Sequence, residues 1–322
     1  MLVKGKKIAF VVGTFPVISE TWLINQVVGL KKRGIDVEIF SFTKGNPENV
    51  SEKFHEYTMA EYIHYLDMPE NKVLRFFVAI PKVFHLLIRN PTALIRALNF
   101  RRYGWQAASL ETLFWAESFV GKDFDLVHCH FGTVATKFME IRYILGLKNK
   151  IITSFYGMDV SRIFKAKDPS YYDEVKKWTS QFIVMSEFMK KRVVAQGFDE
   201  RKIHVVPIFG IDVNDYVFKE RILKPGETIQ MGTVGRFVEK KGFDDLLRAL
   251  AIVKQKTDKK FNCTIIGDGP LRPLLETMTK ELDIGDVVTY TGYMKQEEMI
   301  NRLQNMHLYL QSSKTAADGD ME

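Results

Sequence analysis

Short apolar runs alternate with amphipathic helical stretches along almost the whole chain, which is the sequence mark of parallel α/β sheets. The first run, Ile8–Val12, is apolar without a break, as expected of a strand covered on both faces. A helix is predicted from about Glu20 to Lys32, with Gly34 as its stop signal, and Val37–Phe42 reads as the next strand. Further strands are predicted at Leu126–Cys129, Ile151–Phe155, Phe182–Met185 and Ile203–Val206, each separated from the next by enough chain for a right-handed crossover. After Pro207 the pattern pauses in a polar, turn-rich stretch, IFGIDVNDYVFKERILKPGE, which reads as a linker over 208–227. Alternation then restarts: strand Ile229–Gly235, helix Phe243–Gln255, strand Phe261–Gly267, helix Leu271–Leu282, strand Val287–Gly292, helix Gln296–Asn305 and strand His307–Gln311. The expectation is α/β: two doubly wound, Rossmann-like domains, 1–207 and 228–322, facing a cleft, with ligands beyond the carboxyl ends of the strands. The second domain has fewer predicted strands, and the closing AADGDME carries no helix stop, so the chain reads as cut short within that domain.

Length and charge narrow the partners without choosing one. The 322 residues suit two domains. A net charge of +7 fits an anionic substrate, an anionic membrane surface or nucleic acid, and the absence of any nucleic-acid-binding motif ranks the last of these lowest. Cys129 and Cys263 lie in strand-like apolar runs and read as buried free thiols of a reducing compartment. The N-terminal apolar run is too short for a signal peptide, and no stretch approaches the roughly 18 apolar residues of a membrane span. A cytoplasmic protein is expected, at most peripheral on the inner membrane face. One segment, Lys72 to Tyr103, is rich in Phe, Leu, Ile and Arg and has no acid. Two readings of it stay open: a segment lying on an anionic bilayer, or a helix pair packed on the first domain with basic tips snorkelling outward.

Candidate chemistry concentrates between Met231 and Pro270, in a strand, a basic loop, an amphipathic helix, a second strand and a Gly-rich turn. Arg236 and Lys241 occupy the first loop and Gly267-Asp-Gly269-Pro270 closes the second strand. Two cations beside a helix N-terminus, with its positive dipole end, make a site for a diphosphate, and Arg adds a planar fork that fits phosphate oxygens. A basic pair on its own is more often an ordinary solvated surface feature. Neither Gly267-Asp-Gly269 nor the Gly13–Pro16 stretch has the G-x-G-x-x-G spacing of a dinucleotide fold, which counts against a nicotinamide dehydrogenase.

Motifs along nearly the whole chain, in order, resemble those of family 4 glycosyltransferases, retaining enzymes of the GT-B fold. GTFPVISETWLINQVVGLKKRGIDVEIFSF is similar to the opening of exopolysaccharide and colanic-acid-type members, and DLVHCHFGTVA and TSFYGMDVS to the middle of the first domain. GRFVEKKGFDDLLRAL and IIGDGPLRPLLE, followed by YTGYMKQEEMINRLQNMHLYLQSS and the terminal DGDME, resemble the second domain. The resemblance implies a nucleotide diphosphate sugar as donor and a polyprenyl-linked saccharide as acceptor. It also implies no metal or cofactor; Asp318-Gly-Asp320 reads better as a polar loop than as a metal motif.

Site residues follow from the same resemblance. Arg236 and Lys241 would hold the donor diphosphate, and Gly292 and Tyr293 match the loop that touches the nucleotide base. Gly13, in a GTFP turn expected to face the cleft, and Gly267 are the candidate glycines near the donor. His130 matches a histidine near the donor's sugar and diphosphate. His128 ranks below it because it is expected on the opposite face of the strand. Tyr156 stands where many relatives have His, while Gly157 and Asp159 match. Glu322 matches the first carboxylate of a Glu-x7-Glu pair whose second member would fall beyond the chain. That departure leaves a second class of function open, an inactive nucleotide-binding or interaction protein. Ser19 reads as a helix cap.

Overall fold

In the computed structural model, which describes residues 5–17, 20–47, 50–207, 214 and 216–321, alternate residues of the first strand enter opposite faces of one sheet. Ala9 and Val11 of β1 (Lys7–Phe15) join one core cluster, while Phe10 and Val12 join another. The adjacent strand β2 (Asp36–Lys44) divides likewise, Phe40 and Phe42 to one side, Val37 and Ile39 to the other. Over Ile8–Val12 both faces of β1 are buried and no polar position is left, which is why that run is apolar without alternation. Each such side chain taken fully out of water stabilises the fold by about 1.5–3 kcal/mol.

Met1–Gly210 and Ile211–Glu322 form two compact units. The first carries a seven-stranded parallel sheet in the order β3-β2-β1-β4-β5-β6-β7, with β3 at Ile63–Tyr65, β4 at Leu126–His130, β5 at Lys150–Ser154, β6 at Gln181–Val184 and β7 at Ile203–Val205. The three-residue edge strand β3 has no counterpart among the predicted strands, being too short to show a period. Helix α1 (Thr21–Lys32) lays Leu23, Ile24, Val27 and Val28 on one face of the sheet, and its basic last turn suits the dipole there. Its N-cap position is Glu20, while Ser19 lies outside the described residues.

The segment Lys72–Tyr103 is helical: α2 (Lys72–Arg89) and α3 (Pro91–Ala97) meet at Asn90, whose side chain accepts from Ala93 N–H, and a short turn follows at Phe100–Tyr103. They pack on α4 (Glu111–Phe119) and α5 (Gly132–Leu145) around Leu86, Ala93, Ala97, Leu113, Phe114 and Ile144.

In the second unit a parallel sheet runs in the order β10-β9-β8-β11, with β8 at Ile229–Val234, β9 at Phe261–Ile266, β10 at Val288–Gly292 and β11 at Leu308–Tyr309. Helix α6 (Phe243–Lys256) and helix α7 (Arg272–Glu281) cover it, with Leu247, Leu250 and Leu275 buried against Cys263 and Ile265. Both cysteines are buried and unpaired, and burial pushes the Cys263 thiol up to about 11 and Cys129 higher still. Within the second unit, ahead of β8, 217–228 forms no helix or strand.

An acid-labile ion cluster sits at the start of the first sheet. Glu38 receives Lys122 Nζ at 2.9 Å and faces His64 Nε2 at 2.8 Å, with Lys7 on its other oxygen. Burial raises the Glu38 carboxyl, but the Lys7 and Lys122 ammonium groups more than offset this and hold it at about 2. A lowered carboxylate contributes stability above its unfolded value of 4.5 and loses that contribution as pH falls toward about 2. Glu38→Gln is therefore expected to flatten the fall in melting temperature between pH 4.5 and about 2. An unchanged acid slope in thermal melts would place the lability elsewhere.

Candidate functional site

The candidate residues of the second unit collect at the carboxyl ends of three neighbouring strands. β8 runs out through Gly235 into the exposed Arg236, and Phe237, fully buried against Phe243 and Tyr290, anchors the loop behind it. A 3-10 turn, Glu239–Lys241, then leads through Gly242, at φ +64°, into α6. A Cβ at Gly235 would lie 3.3 Å from Lys241 Cδ, so the Lys241 stem folds back over the strand end that presents Arg236. Both predicted phosphate ligands thus belong to one loop, and no described residue bonds the Arg236 side chain.

The Gly-rich turn after β9 is zipped to this loop by backbone. Gly235 N–H donates to Ile266 O at 3.0 Å, Phe237 N–H to Asp268 O at 2.9 Å, and Leu271 N–H to Phe237 O at 3.1 Å. Gly267 has φ +131°, and a Cβ there would sit 2.0 Å from the Gly235 carbonyl oxygen. Its amide donates to Gly292 O at 3.0 Å, which brings in the end of β10 and the half-exposed Tyr293. Glycine at 267 therefore has a packing reason of its own.

A third layer was not legible in the strand pattern. Residues 312–320 lace along the basic loop: Ser312 Oγ donates to Lys241 O at 2.9 Å, Lys314 N–H to Lys240 O at 2.9 Å, and Ala317 N–H to Glu239 Oε1 at 2.9 Å. Asp318-Gly-Asp320 is part of this lacing, with Asp320 3.2 Å from Lys240 Nζ. The two acids in the first turn of α6, Asp244 and Asp245, are engaged by Lys314 and Arg248, which tempers their charge beside the loop. Arg272 is a further cation at this edge, but its guanidinium is committed to Asp268 and Glu276. Glu322 lies outside the described residues.

In the first unit, His130 ends β4 completely buried. The sequence expectation for His128 is corrected: residues i and i+2 of a strand share a face, and the two imidazoles stack with centroids 4.1 Å apart. His128 Nε2 meets Ser154 Oγ at 2.7 Å, and His130 Nδ1 meets the Tyr156 hydroxyl at 2.8 Å. His130 Nε2 is buried without a hydrogen-bond partner among the described residues. Burial lowers both imidazoles, His128 to about 3, and His128 lowers His130 further. Burial also raises the Tyr156 phenol. At neutral pH His130 is an uncharged ring with one nitrogen held by Tyr156 and the other uncommitted.

Two neighbours of this pair left no clear mark in the sequence. Trp22 of α1 lies over both rings, 5.5 Å from His130 and 4.8 Å from Tyr156. Burial pushes the Glu20 carboxyl up to about 7. The only sequence signal was an acid at a helix start, which reads equally as a cap. Asp159 is a buried clamp: its carboxylate accepts from Tyr156 N–H at 3.1 Å and Thr133 N–H at 3.4 Å, closing the N-terminus of α5. Burial outweighs those donors and pushes its carboxyl up to about 7. Gly13 is also corrected: it lies within β1, which stays paired with β2 through Phe15, so the turn begins later than expected. A Cβ at Gly13 would make only an ordinary 3.7 Å contact with Val134, so the protein itself does not require glycine there.

Residues 19–214 match the family described as Glycosyltransferase Family 4, and 216–319 match Glycosyl transferases group 1. The amylovoran biosynthesis glycosyltransferase AmsK of Erwinia amylovora is 30% identical over 328 residues, spanning 98% of this chain and 77% of its own. A putative colanic acid biosynthesis glycosyltransferase, WcaL of Escherichia coli, is 28% identical over the same shares of the two chains. Among solved structures, Anabaena HepE in complex with UDP and glucose superposes with a TM-score of 0.62 at 14% identity, covering 98% of this chain and 76% of HepE. That likeness shows the fold, two parallel α/β sheets of the GT-B kind. On the family match across most of its length, the chain belongs to glycosyltransferase family 4.

Proposed function

We propose that this glycosyltransferase moves a hexose, with retention, from a nucleotide diphosphate sugar to a saccharide on a polyprenyl carrier, at the cytoplasmic face of the inner membrane in bacterial surface-polysaccharide synthesis. The observation that carries the donor reading is the Arg236–Lys241 loop at the strand ends, with an exposed guanidinium that no described residue engages. The relatives named for amylovoran and colanic acid support the polysaccharide, and HepE, solved with UDP-glucose, supports a uridine donor. In the reaction the bond from the anomeric carbon to phosphate oxygen breaks, and the acceptor oxygen bonds that carbon from the same face. The acceptor's proton passes to the leaving phosphate. Arg236 and Lys241 stabilise the charge that builds on the diphosphate. Gly292 and Tyr293 border the base, Gly13 and Gly267 leave room near the donor, and Glu322 binds the sugar hydroxyls.

His130 contributes a neutral hydrogen bond to the donor rather than a proton. Its lowered basicity and uncommitted Nε2 support this role, the ring being reached once side chains over it, Trp22 among them, shift to uncover it. His130→Ala is expected to lower kcat/KM about fivefold, the order for one neutral bond of about 1 kcal/mol. A loss of about 10²–10⁴ would instead identify proton transfer. The test of the whole reading is transfer from a set of UDP-sugars to membrane-extracted acceptor lipid, with the product's anomeric configuration read by NMR. Donor binding by calorimetry without transfer would favour a nucleotide-binding protein, and an inverted product would overturn retention.

A further inference from the structure

Helix α2 is mounted inside out. Its protein-facing stripe carries Arg75 and Lys82 beside the buried Ala79 and Leu86. Arg75 is consumed by the carbonyls of Pro69, Glu70 and Ser109, and Lys82 by Glu117. The outward stripe is apolar: Val73, Phe76, Phe77, Phe84 and Ile88 are each 59–79% exposed. Scattered exposed apolar residues are ordinary, but a continuous row of large ones along an 18-residue helix marks a surface that meets something. Beyond the helix, Ile95 and Trp105 are also exposed, at 74% and 75%.

We infer that this face docks the first unit onto an anionic lipid bilayer, with α2 lying in the interface plane. Charge selects the occupant. Lys72, Arg89, Arg96, Arg101 and Arg102 are exposed on the same segment, Arg96 and Arg102 beside Tyr143, and no Asp or Glu occurs between 71 and 110. A second copy of the chain meeting this face by two-fold symmetry would set cations against cations, whereas lipid phosphates would pair with them and the acyl boundary would receive the Phe rings. Among the described residues no helix is long and apolar enough to cross a membrane, so the helix lies on the surface. The inference deepens the reading of a lipid-carried acceptor and rests on it for its purpose, since surface docking would bring the first unit to such an acceptor. Its test contains neither donor nor acceptor, so its failure would leave sugar transfer untouched.

The experiment is flotation of the full chain with vesicles of phosphatidylglycerol and phosphatidylethanolamine, and with vesicles of phosphatidylcholine alone. Binding to the anionic vesicles is expected, weakening with salt, together with a blue shift of tryptophan emission that Trp105→Phe diminishes. Phe77→Glu with Phe84→Glu is expected to reduce partitioning about tenfold or more, and Arg101→Glu with Arg102→Glu to remove the preference for anionic lipid. Phe77 and Phe84 are exposed, so thermal melts of their double variant should match the parent, whereas the arginine variant also gives up the stacking of Arg102 on Tyr143. Equal partitioning of parent and Phe variants would overturn the inference. So would absent vesicle binding alongside a dimer, seen in sedimentation equilibrium, that Phe77→Glu dissolves.

Discussion

Arg236→Ala is expected to lower kcat for sugar transfer by about 10²–10³, the usual loss when one preset charge-stabilising group is removed. A fixed cation gains most when the leaving phosphate acquires charge, so its removal falls on the transition state more than on donor binding. Arg236 is exposed and no described residue engages its side chain, so the fold should not register its loss. The melting temperature is expected to stay within a degree or so of the parent, since surface changes away from special contacts usually stay within about 0.5 kcal/mol. Arg236→Lys should recover part of the rate, keeping the charge but losing the fork. Arg272, at the same edge, is the control: already held by Asp268 and Glu276, its replacement by Ala should disturb stability more than chemistry. The measurement is kcat and KM for donor across the three variants, with melts beside them. If Arg236→Ala raised KM and left kcat alone, the residue would bind the donor uniformly and the catalytic role would fail.

How far the sequence foresaw this site depends on which physical signal each part leaves. β1 was legible because both of its faces are buried, which leaves an unbroken apolar run, and β2 because apolar residues still dominate it around Glu38 and Ser41. The short β3 left no such trace: three residues at a sheet edge hold by pairing with β2 rather than by a pattern of their own. Arg236 and Lys241 were legible as a pair of cations between a strand and a helix. Their setting was not, because it depends on hydrogen bonds with residues about thirty and seventy positions away, the main chain of Ile266 and Asp268 and the hydroxyl of Ser312. The His128 error was geometric rather than chemical, since strand alternation puts i and i+2 together. The contact between His130 and Tyr156 joins β4 to the loop after β5, a pairing that sequence spacing does not report. The apolar wealth of Lys72–Arg89 was plain in the sequence, but which side of the helix it occupies is decided by Glu117 and the carbonyls that draw Lys82 and Arg75 inward.

Gly267→Ala is expected to destabilise the second unit by about 4 kcal/mol or more, in the range reserved for backbone strain and buried clashes. The Cβ would sit 2.0 Å from the Gly235 carbonyl oxygen, a main-chain atom that cannot swing aside as a side chain would. Relief requires parting the two loops, which breaks the bonds from Gly235 N–H to Ile266 O and from Phe237 N–H to Asp268 O. Residue 267 also holds φ +131°, a conformation that L side chains rarely adopt. Gly285 supplies the comparison within the same unit: a Cβ there meets nothing within 4 Å, and its φ is not in the left-handed range. Gly285→Ala should be neutral or stabilising by up to about 1 kcal/mol, through a less flexible unfolded chain. Hydrogen exchange at amides of β8 and β9 reads both variants directly, without relying on a melt shared by two units. If Gly267→Ala proved as protected as the parent yet lost donor affinity, the glycine would be kept for the approach of a ligand. If protection collapsed together with affinity, the glycine would serve the site by letting one loop lie on the other, with Arg236 held at the strand end as the consequence.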